Sequence, residues 1–425
     1  MEDDYIDLID ATVKNGIEDT VDFYSIVTKC AGIHPLEIVH SLNRIHKNGI
    51  LDEHTYQQIV NSILLPKQCQ NNDRYQKILP VPHQVDFDWR FSDNGIEIFV
   101  GHIDKLINSR SYTRIAFIGS PSLFRHYCKS NCKDVELFLI DFNANKHISK
   151  EILPVNAHVV NCNLNYDLDT ELKVDQIHAD LVVMDPPWYP EYYKKFFDIS
   201  DIIGDDKCLV YGVFPPMLTR ESIIAEREDI NIYISKLGFK ELQFESLCVE
   251  YYTPPFEQNV FKSNGINNYP ICWRRGDFFI THRSEKKSIN NSATGIIIRN
   301  GGWTEKSIGN VRFKLRQSTF SEDEEFNIRL DSLYENDIYP SVSRRFKGHE
   351  RINVWTSGNR VYYCTNIPVL FMILEHLYDS DIVMSFENEY DEIIPDFQRV
   401  QIRKIQNSIH AIVDLELKEY GEWIR

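Results

Sequence analysis

The 425-residue sequence lacks the features that mark membrane, disulfide-rich and metal-binding proteins. No apolar run approaches the roughly 18 residues of a membrane-spanning helix, and residues 1–4 are acidic where a signal peptide would be basic. The nine cysteines form no C-x-x-C pair, so we expect buried free thiols and no metal site. These absences together predict a cytoplasmic protein with no membrane partner.

Positive charge is also scarce. Lysine and arginine number 46 against 63 aspartates and glutamates, which gives a formal net charge of −17. Because phosphate contacts dominate nucleic-acid affinity, an acidic chain needs a local basic patch to hold DNA or RNA. The longest basic runs are short, at residues 274–275, 344–347 and 399–404. The charge balance therefore favours a neutral or cationic small substrate, or a protein partner, over a nucleic acid.

The most informative stretch is Asp185-Pro186-Pro187-Trp188, which follows an apolar run at residues 179–184. The run predicts a buried parallel strand, so the motif lies at the carboxyl end of that strand. Proline offers no N–H, and the carbonyls of Asp185 and Pro186 can therefore face a cleft without a neighbouring donor. Together with the Asp185 carboxylate they can accept hydrogen bonds from an amine, beside the flat face of Trp188. The structural alternative is a strand-to-loop turn with an aspartate cap.

Further apolar runs surround this motif with alternating strands and helices. The predicted strands are residues 114–119, 135–140, 157–162, 179–184 and 207–213, followed by a closing antiparallel pair at 240–251 and 271–282. Helices are predicted at residues 123–129 and 221–237. This alternation predicts a three-layer α/β domain with a doubly wound, Rossmann-like sheet.

Small and polar residues follow three of these strands at the edge where such sheets bind ligands. Gly119, Ser120 and Pro121 make a tight first turn, Asp141 ends the second strand, and Asn163 follows the third. The turn has one glycine and the chain has no G-x-G-x-x-G, so a pyrophosphate is not expected there. A nucleoside that carries a sulfonium needs only a tight turn, an acid for the ribose, a polar group for the adenine and a reactive corner. The pattern therefore favours a methyl-donor site over a dinucleotide site.

These features resemble the class I S-adenosylmethionine-dependent transferases over residues 75–285. The motif at residues 185–188 is similar to that of methyltransferases that modify amino groups of adenine or cytosine. Residues 118–123 and 180–193, with Asp141, also resemble the branched-chain polyamine synthases. Those enzymes transfer aminopropyl groups from decarboxylated S-adenosylmethionine and carry a winged-helix-like domain before the sheet. They have a run of acids in the first turn, where this chain has Ser120-Pro121-Ser122, and the difference favours methyl transfer.

The resemblance implies an enzyme that methylates an amino group of a nucleobase or of a small amine. The catalytic residues would be Asp185, Pro186, Pro187 and Trp188. The residues that bind S-adenosylmethionine would be Gly119, Ser120, Pro121, Asp141, Asn163 and Asp185. Two alternatives stay open. One is aminopropyl transfer from decarboxylated S-adenosylmethionine to make branched polyamines, and the other is a scaffold that keeps the fold and binds partners without catalysis.

Aromatic residues near the predicted active edge are the candidates for acceptor binding. They are Trp89, Tyr189, Phe214, Tyr251, Tyr252 and Phe256. Trp89 belongs to an alternation of acids and aromatics at residues 86–91, which would either close over the donor or pack as a connecting strand. Tyr251, Tyr252 and Phe256 fall between the last two strands, where they would stack on a base or line an amine channel. The structural alternative for that stretch is a β-hairpin packed on its own aromatics.

The remaining sequence divides around the predicted sheet. The expected segments are a helical or winged-helix-like domain at residues 1–65, a linker at 66–82, the transferase domain at 83–287 and an α+β domain at 288–425. The helix at residues 35–47 would read DNA or, given its few cations, mediate packing or dimerisation. In the last segment, short strands precede helices at residues 367–377 and 397–420. Its role in substrate selection, in forming a homodimer or in binding a partner protein is open.

Overall fold

The computed structural model describes residues 2–65, 80–109, 112–129, 134–141, 148, 153–161, 177–240, 243–284, 302–317, 327–343, 346–390 and 393–423. Asn163 and most of the expected linker lie outside these ranges. The chain forms two compact units. The first comprises residues 1–69, 90–252 and 267–299, and the second comprises residues 70–89, 253–266 and 300–425.

The first unit begins with four helices. They are α1 (Glu2–Gly16), α2 (Phe23–Lys29), α3 (Pro35–Lys47) and α4 (Glu53–Ile63). Asp22 caps α2 by accepting the Ser25 N–H at 3.0 Å, and Asp52 caps α4 by accepting the Thr55 N–H at 2.9 Å. Residues 2–65 contain helices and no strand, so the described segment has the helices of the expected domain without a wing.

An eight-stranded mixed sheet forms the core of the first unit. Its strands are β1 (Arg90–Phe91), β2 (Arg114–Ile118), β3 (Glu136–Asp141), β4 (Ala157–Asn161), β5 (Ala179–Met184), β6 (Gly204–Phe214), β7 (Gln243–Tyr252) and β8 (Arg274–His282). They lie in the order β1-β7-β8-β6-β5-β2-β3-β4. The pairs among β2 to β6 are parallel, whereas β8, β7 and β1 add antiparallel pairs at one end. This topology confirms the predicted α/β, Rossmann-like fold class.

Helices cover the parallel strands and make their crossovers. They are α5 (Asp93–Asn108), α6 (Pro121–Lys129), α7 (Pro190–Ile203) and α8 (Ile223–Lys236). The central strands are buried because both faces are covered, which is why their sequences are continuously apolar. The chain turns back on itself between β2 and β5, since β3 and β4 lie on one side of β2, and β5 and β6 lie on the other. In open α/β sheets, the crevice at such a switch point is where ligands bind.

The second unit is built on a five-stranded antiparallel sheet in the order β11-β13-β12-β10-β9. The strands are β9 (Trp303–Ile308), β10 (Val311–Arg316), β11 (Leu330–Ser332), β12 (Val354–Thr356) and β13 (Val361–Cys364). Its helices are α9 (Pro255–Ser263), α10 (Ile367–Glu375), α11 (Ile382–Tyr390) and α12 (Asp396–Trp423). A buried ion network also belongs to this unit. In it Asp86 pairs with Arg312 and with Lys314, the latter at 2.8 Å.

Two local expectations differ from the structure. The stretch after Tyr252 forms the helix α9, not a β-hairpin excursion, because Pro254 and Pro255 begin a helix whose backbone bonds are internal. Residues 86–91 are not one connecting strand. They contain the end of a 3-10 turn (Gln84–Asp86), a left-handed residue at Phe87 and the two-residue strand β1. The buried salt bridges of Asp86 stabilise this conformation over the strand that the alternation of acids and aromatics favoured.

Candidate active site

The ends of β2 and β5 meet at the switch point. Ile118 and Met184 are register partners, and the Asp185 N–H donates to the Ile118 carbonyl at 3.3 Å. On the other side of β2, the Gly119 N–H donates to the Ile140 carbonyl at 3.0 Å. The first turn, the end of β3 and the Asp-Pro-Pro-Trp motif therefore share one edge of the sheet, as the sequence predicted.

Gly119 is required by the geometry of this turn. Its φ is +61°, in the left-handed region that other residues rarely adopt. A Cβ atom at this position would lie 3.0 Å from the Phe196 ring and 3.4 Å from the Asp185 carbonyl oxygen. Ser120 is buried, and its hydroxyl donates to the Ile118 carbonyl at 3.2 Å, while Pro121 is the first residue of α6. The turn thus brings its backbone close to the Phe196 ring and to the backbone of the motif.

Asp141 is the last residue of β3 and is partly buried. It lies at the same edge as Gly119, one strand away. Asn163, the residue expected beside it, is outside the described ranges. The described polar residue next to Asp141 is Asn161, its register partner on β4. The sequence did not single out Asn161, because this position falls inside the predicted strand at residues 157–162.

Asp185 is the central acid of the site. The Tyr251 hydroxyl donates to its Oδ1 at 2.7 Å. Within the described ranges, no lysine, arginine or histidine forms an ion pair with this carboxylate. Burial raises the pKa of the Asp185 carboxyl to about 7, while the bond from Tyr251 acts in the opposite direction. The carboxyl group is therefore a poorly solvated acid that titrates near neutral pH.

Two tyrosines face this acid from different elements. Tyr251 comes from β7, and Tyr193 comes from α7, where its hydroxyl donates to the Val213 carbonyl at 2.7 Å. Burial, followed by the nearby Asp185 charge, raises the pKa of both phenols well above 10. Both therefore remain protonated donors at physiological pH. Tyr193 was not among the residues predicted from the sequence. Its position on the buried face of the helix that follows the motif could have indicated it.

Trp188 is held on several sides. The Arg274 guanidinium lies over its ring at 5.1 Å, and the Tyr251 ring meets it edge-on at 5.8 Å. Arg220 donates to the Trp188 carbonyl at 2.6 Å. The Pro187 carbonyl accepts the Tyr189 N–H at 2.6 Å. The motif is thus a rigid corner, and Arg220 and Arg274 are supporting residues that the sequence patterns did not reveal.

The predicted acceptor residues separate into two groups. In the first unit, Phe214 is buried at the end of β6 and packs on Tyr193 at 4.5 Å between ring centres. Tyr189 lies just before α7 and Tyr252 ends β7, and both are partly exposed. Trp89 and Phe256 instead belong to the second unit. There the two rings meet edge-on at 5.0 Å, and the Trp89 N–H donates to Glu257 at 3.4 Å.

The amino-terminal helices pack on loops at the edge of the sheet that carries the motif. The Tyr5 hydroxyl donates to the Leu218 carbonyl at 3.1 Å, in the loop after β6. The His34 ring, at the start of α3, meets Trp273 edge-on at 5.1 Å, just before β8. Burial lowers the pKa of His34 to about 3, so the ring is neutral. The start of α3 is therefore engaged in packing within the first unit.

In the described ranges, no cluster of three histidine, cysteine or acidic side chains is arranged to hold a metal ion. The helices in those same ranges include none with the length and apolar character needed to span a bilayer.

Comparison with known proteins gives structural similarities alone. No family model matches the chain, and no curated protein matches its sequence. The chain is similar to the branched-chain polyamine synthase from Thermus thermophilus, solved with N4-aminopropylspermidine and 5'-methylthioadenosine. The identity is 11%, the match covers 67% of this chain and 89% of the synthase, and the TM-score is 0.48. For a SAM-dependent methyltransferase from Aquifex aeolicus, the identity is 10%, the coverage is 42% and 88%, and the TM-score is 0.28. At these identities, no activity or substrate follows from the similarity.

Proposed function

We propose that the protein is an S-adenosylmethionine-dependent transferase that methylates an amino group. The observation that carries this proposal is the Asp185 carboxyl at the switch point. It is partly exposed, it accepts a hydrogen bond from Tyr251, and its pKa is raised by burial to about 7. A desolvated acid that lacks a cationic partner among the described residues favours a ligand that carries positive charge. A sulfonium donor and a protonated amine are both such ligands.

The residues at the edge suit the donor. Gly119 allows the tight left-handed turn beside the motif, and Asp141 at the adjacent strand end can accept hydrogen bonds from ribose hydroxyls. Ser120 and Pro121 shape the same turn. When bound, S-adenosylmethionine supplies an electrophilic methyl carbon on a cationic sulfur.

Because the methyl carbon is already electrophilic, the main task of the protein is to position the acceptor. The acceptor nitrogen must lie in line with the methyl carbon at about 3–3.5 Å. The Asp185 carboxylate and the Pro186 carbonyl would accept hydrogen bonds from the acceptor NH groups, and the flat ring of Trp188 would form a wall. As the new N–C bond forms, the C–S bond breaks and its electron pair stays on sulfur. Asp185 takes up the positive charge that develops on nitrogen, and for an ammonium acceptor it also takes the proton that must leave first.

A small acceptor fits better than a nucleic acid. The amino-terminal helices pack on the loops after β6 and before β8, which flank the acceptor side of the motif. The net charge of −17 adds an unfavourable field for a polyanion. We therefore place a small amine or a single nucleobase in contact with Tyr189 and Tyr252, since the fully buried ring of Phe214 has no face left for a ligand.

Aminopropyl transfer is the second candidate, and the titration of Asp185 favours it over a scaffold. A carboxyl group with a pKa near 7 is a stronger base than an ordinary aspartate, and it is well suited to remove a proton from an alkylammonium group. The first turn argues against this candidate, since Ser120 and Pro121 offer no charge to attract a polyamine.

Calorimetric titration of the full chain distinguishes the three candidates. The ligands are S-adenosylmethionine, its decarboxylated form and S-adenosylhomocysteine. We expect S-adenosylmethionine to bind at least as tightly as the decarboxylated donor. A clear preference for the decarboxylated donor would establish aminopropyl transfer instead. If none of the three ligands binds, the scaffold is the candidate that remains.

A further inference from the structure

We propose that Tyr251 is a positioning residue that fixes the orientation of the Asp185 carboxyl group and so presents its Oδ2 atom to the acceptor. The hydroxyl of Tyr251 donates to Oδ1 at 2.7 Å, which leaves the second oxygen for the ligand. The effect of this role on turnover rests on the proposed function. It assigns to Tyr251 a role other than stacking on the acceptor.

The Tyr251 ring is fixed by its surroundings. Its strand, β7, is paired on both sides, with Phe91 and Arg274 as the register partners of Tyr251. The ring lies 4.9 Å from the Phe91 ring and 5.8 Å from Trp188, and the side chain is only 2% exposed. A ring buried to this extent has no face left for a base. What it offers to the site is the hydroxyl group.

The other polar side chains near Asp185 have partners of their own, so the bond from Tyr251 is the main polar restraint on the Asp185 carboxyl group. Tyr193, the other tyrosine that faces the acid, donates to the Val213 carbonyl instead. Of the arginines nearby, Arg220 pairs with Glu226, and Arg227 pairs with Asp277 at 3.0 Å. Arg274 is directed over the Trp188 ring. The Tyr251 hydroxyl is therefore the group in the described ranges that stabilises the charged form of Asp185.

The two tyrosines provide a matched pair of variants. Tyr251→Phe removes a buried hydroxyl that donates to the acid, and Tyr193→Phe removes a buried hydroxyl that donates to a backbone carbonyl. Both lose one hydrogen bond at a similar depth. Only the first should raise the midpoint of the Asp185 titration, by about one pH unit, which is a tenfold change in its acid constant.

Carbon-13 NMR of carboxyl-labelled aspartate measures this midpoint in the full chain, with the Asp185 signal assigned by its loss in Asp185→Asn. A higher midpoint in Tyr251→Phe, with the Tyr193→Phe midpoint unchanged, supports the proposal. Equal midpoints in all three proteins, or equal shifts in both variants, overturn it. If Tyr251→Phe does not fold, replacement of all tyrosines by 3-fluorotyrosine gives the same test. The more acidic hydroxyl donates more strongly and should lower the Asp185 midpoint, and an unchanged midpoint again overturns the proposal.

This measurement needs no donor or acceptor, so its failure is separate from failure of the proposed function. Where a transfer reaction is detected, Tyr251→Phe should lower kcat at least tenfold and move the acidic limb of the pH profile upward. The KM for the donor should change little. A loss confined to KM, with the pH profile unmoved, would assign Tyr251 to substrate contact instead.

Discussion

The Asp185 carboxyl should destabilise the folded protein at and above neutral pH, and Asp185→Asn should remove that cost. Burial raises the pKa of this group from 3.8 to about 7. A folded-state pKa above the unfolded value means that the folded state binds the proton more tightly, so stability falls as the pH rises between the two values. The shift is about three units, and at 1.36 kcal/mol per unit it corresponds to at most about 4 kcal/mol above pH 7.

The asparagine amide stays neutral and keeps an oxygen that can accept the bond from Tyr251. The stability gained by Asp185→Asn should therefore grow by about 2–3 kcal/mol between pH 5 and pH 8, because up to about pH 7 the folded carboxyl keeps a proton that the unfolded one has already lost. Urea denaturation at each pH measures the free energy of unfolding of both proteins. A gain that is the same at pH 5 and pH 8 would refute the reasoning.

Asp52 provides the matched control, since it is an exposed aspartate whose pKa is lowered by the Thr55 N–H. A lowered pKa contributes stability that is present at neutral pH and lost as the pH falls. Asp52→Asn should therefore show no stability gain on raising the pH. A rising gain for Asp185→Asn beside a flat response for Asp52→Asn separates the burial of Asp185 from any general effect of removing one negative charge from an acidic protein.

Three further predictions concern the site itself. Asp185→Asn should lower turnover by roughly 10²–10³, much more than it weakens donor binding by calorimetry, since one preorganised acceptor of charge is weakened; normal transfer rates would leave the motif as a structural corner. Asp141→Ala should weaken donor binding by about 1.5–3 kcal/mol with little change in the melting temperature, and unchanged affinity in the same titration would remove its assignment to the ribose. Gly119→Ala should destabilise the fold by about 1–3 kcal/mol, because its Cβ would lie 3.0 Å from the Phe196 ring in a left-handed backbone; a thermal melt equal to that of the unmodified chain would contradict the geometry of the turn.

The sequence by itself determined the strands and the acids at their ends. The apolar runs that became β2 and β5 are buried on both faces, and this leaves a continuous signal that can be recognised locally. Gly119 and Asp185 follow such strands directly, and parallel strands place their carboxyl ends at one edge. The position of these two residues therefore followed from the strand assignment and needed no knowledge of distant contacts.

The tertiary structure decided how the site is completed. Tyr251 is 66 residues from Asp185 and meets it because β7 lies between β1 and β8 with a particular register. A shift of one residue in that register would turn the hydroxyl to the other face of the sheet, and no local pattern reveals the register of a partly exposed strand. The sequence also did not show that Trp89 and Phe256 belong to the second unit, because burial and pairing depend on segments far apart in the chain. The pKa of Asp185 is non-local in the same way, since it follows from the solvent that surrounding elements exclude.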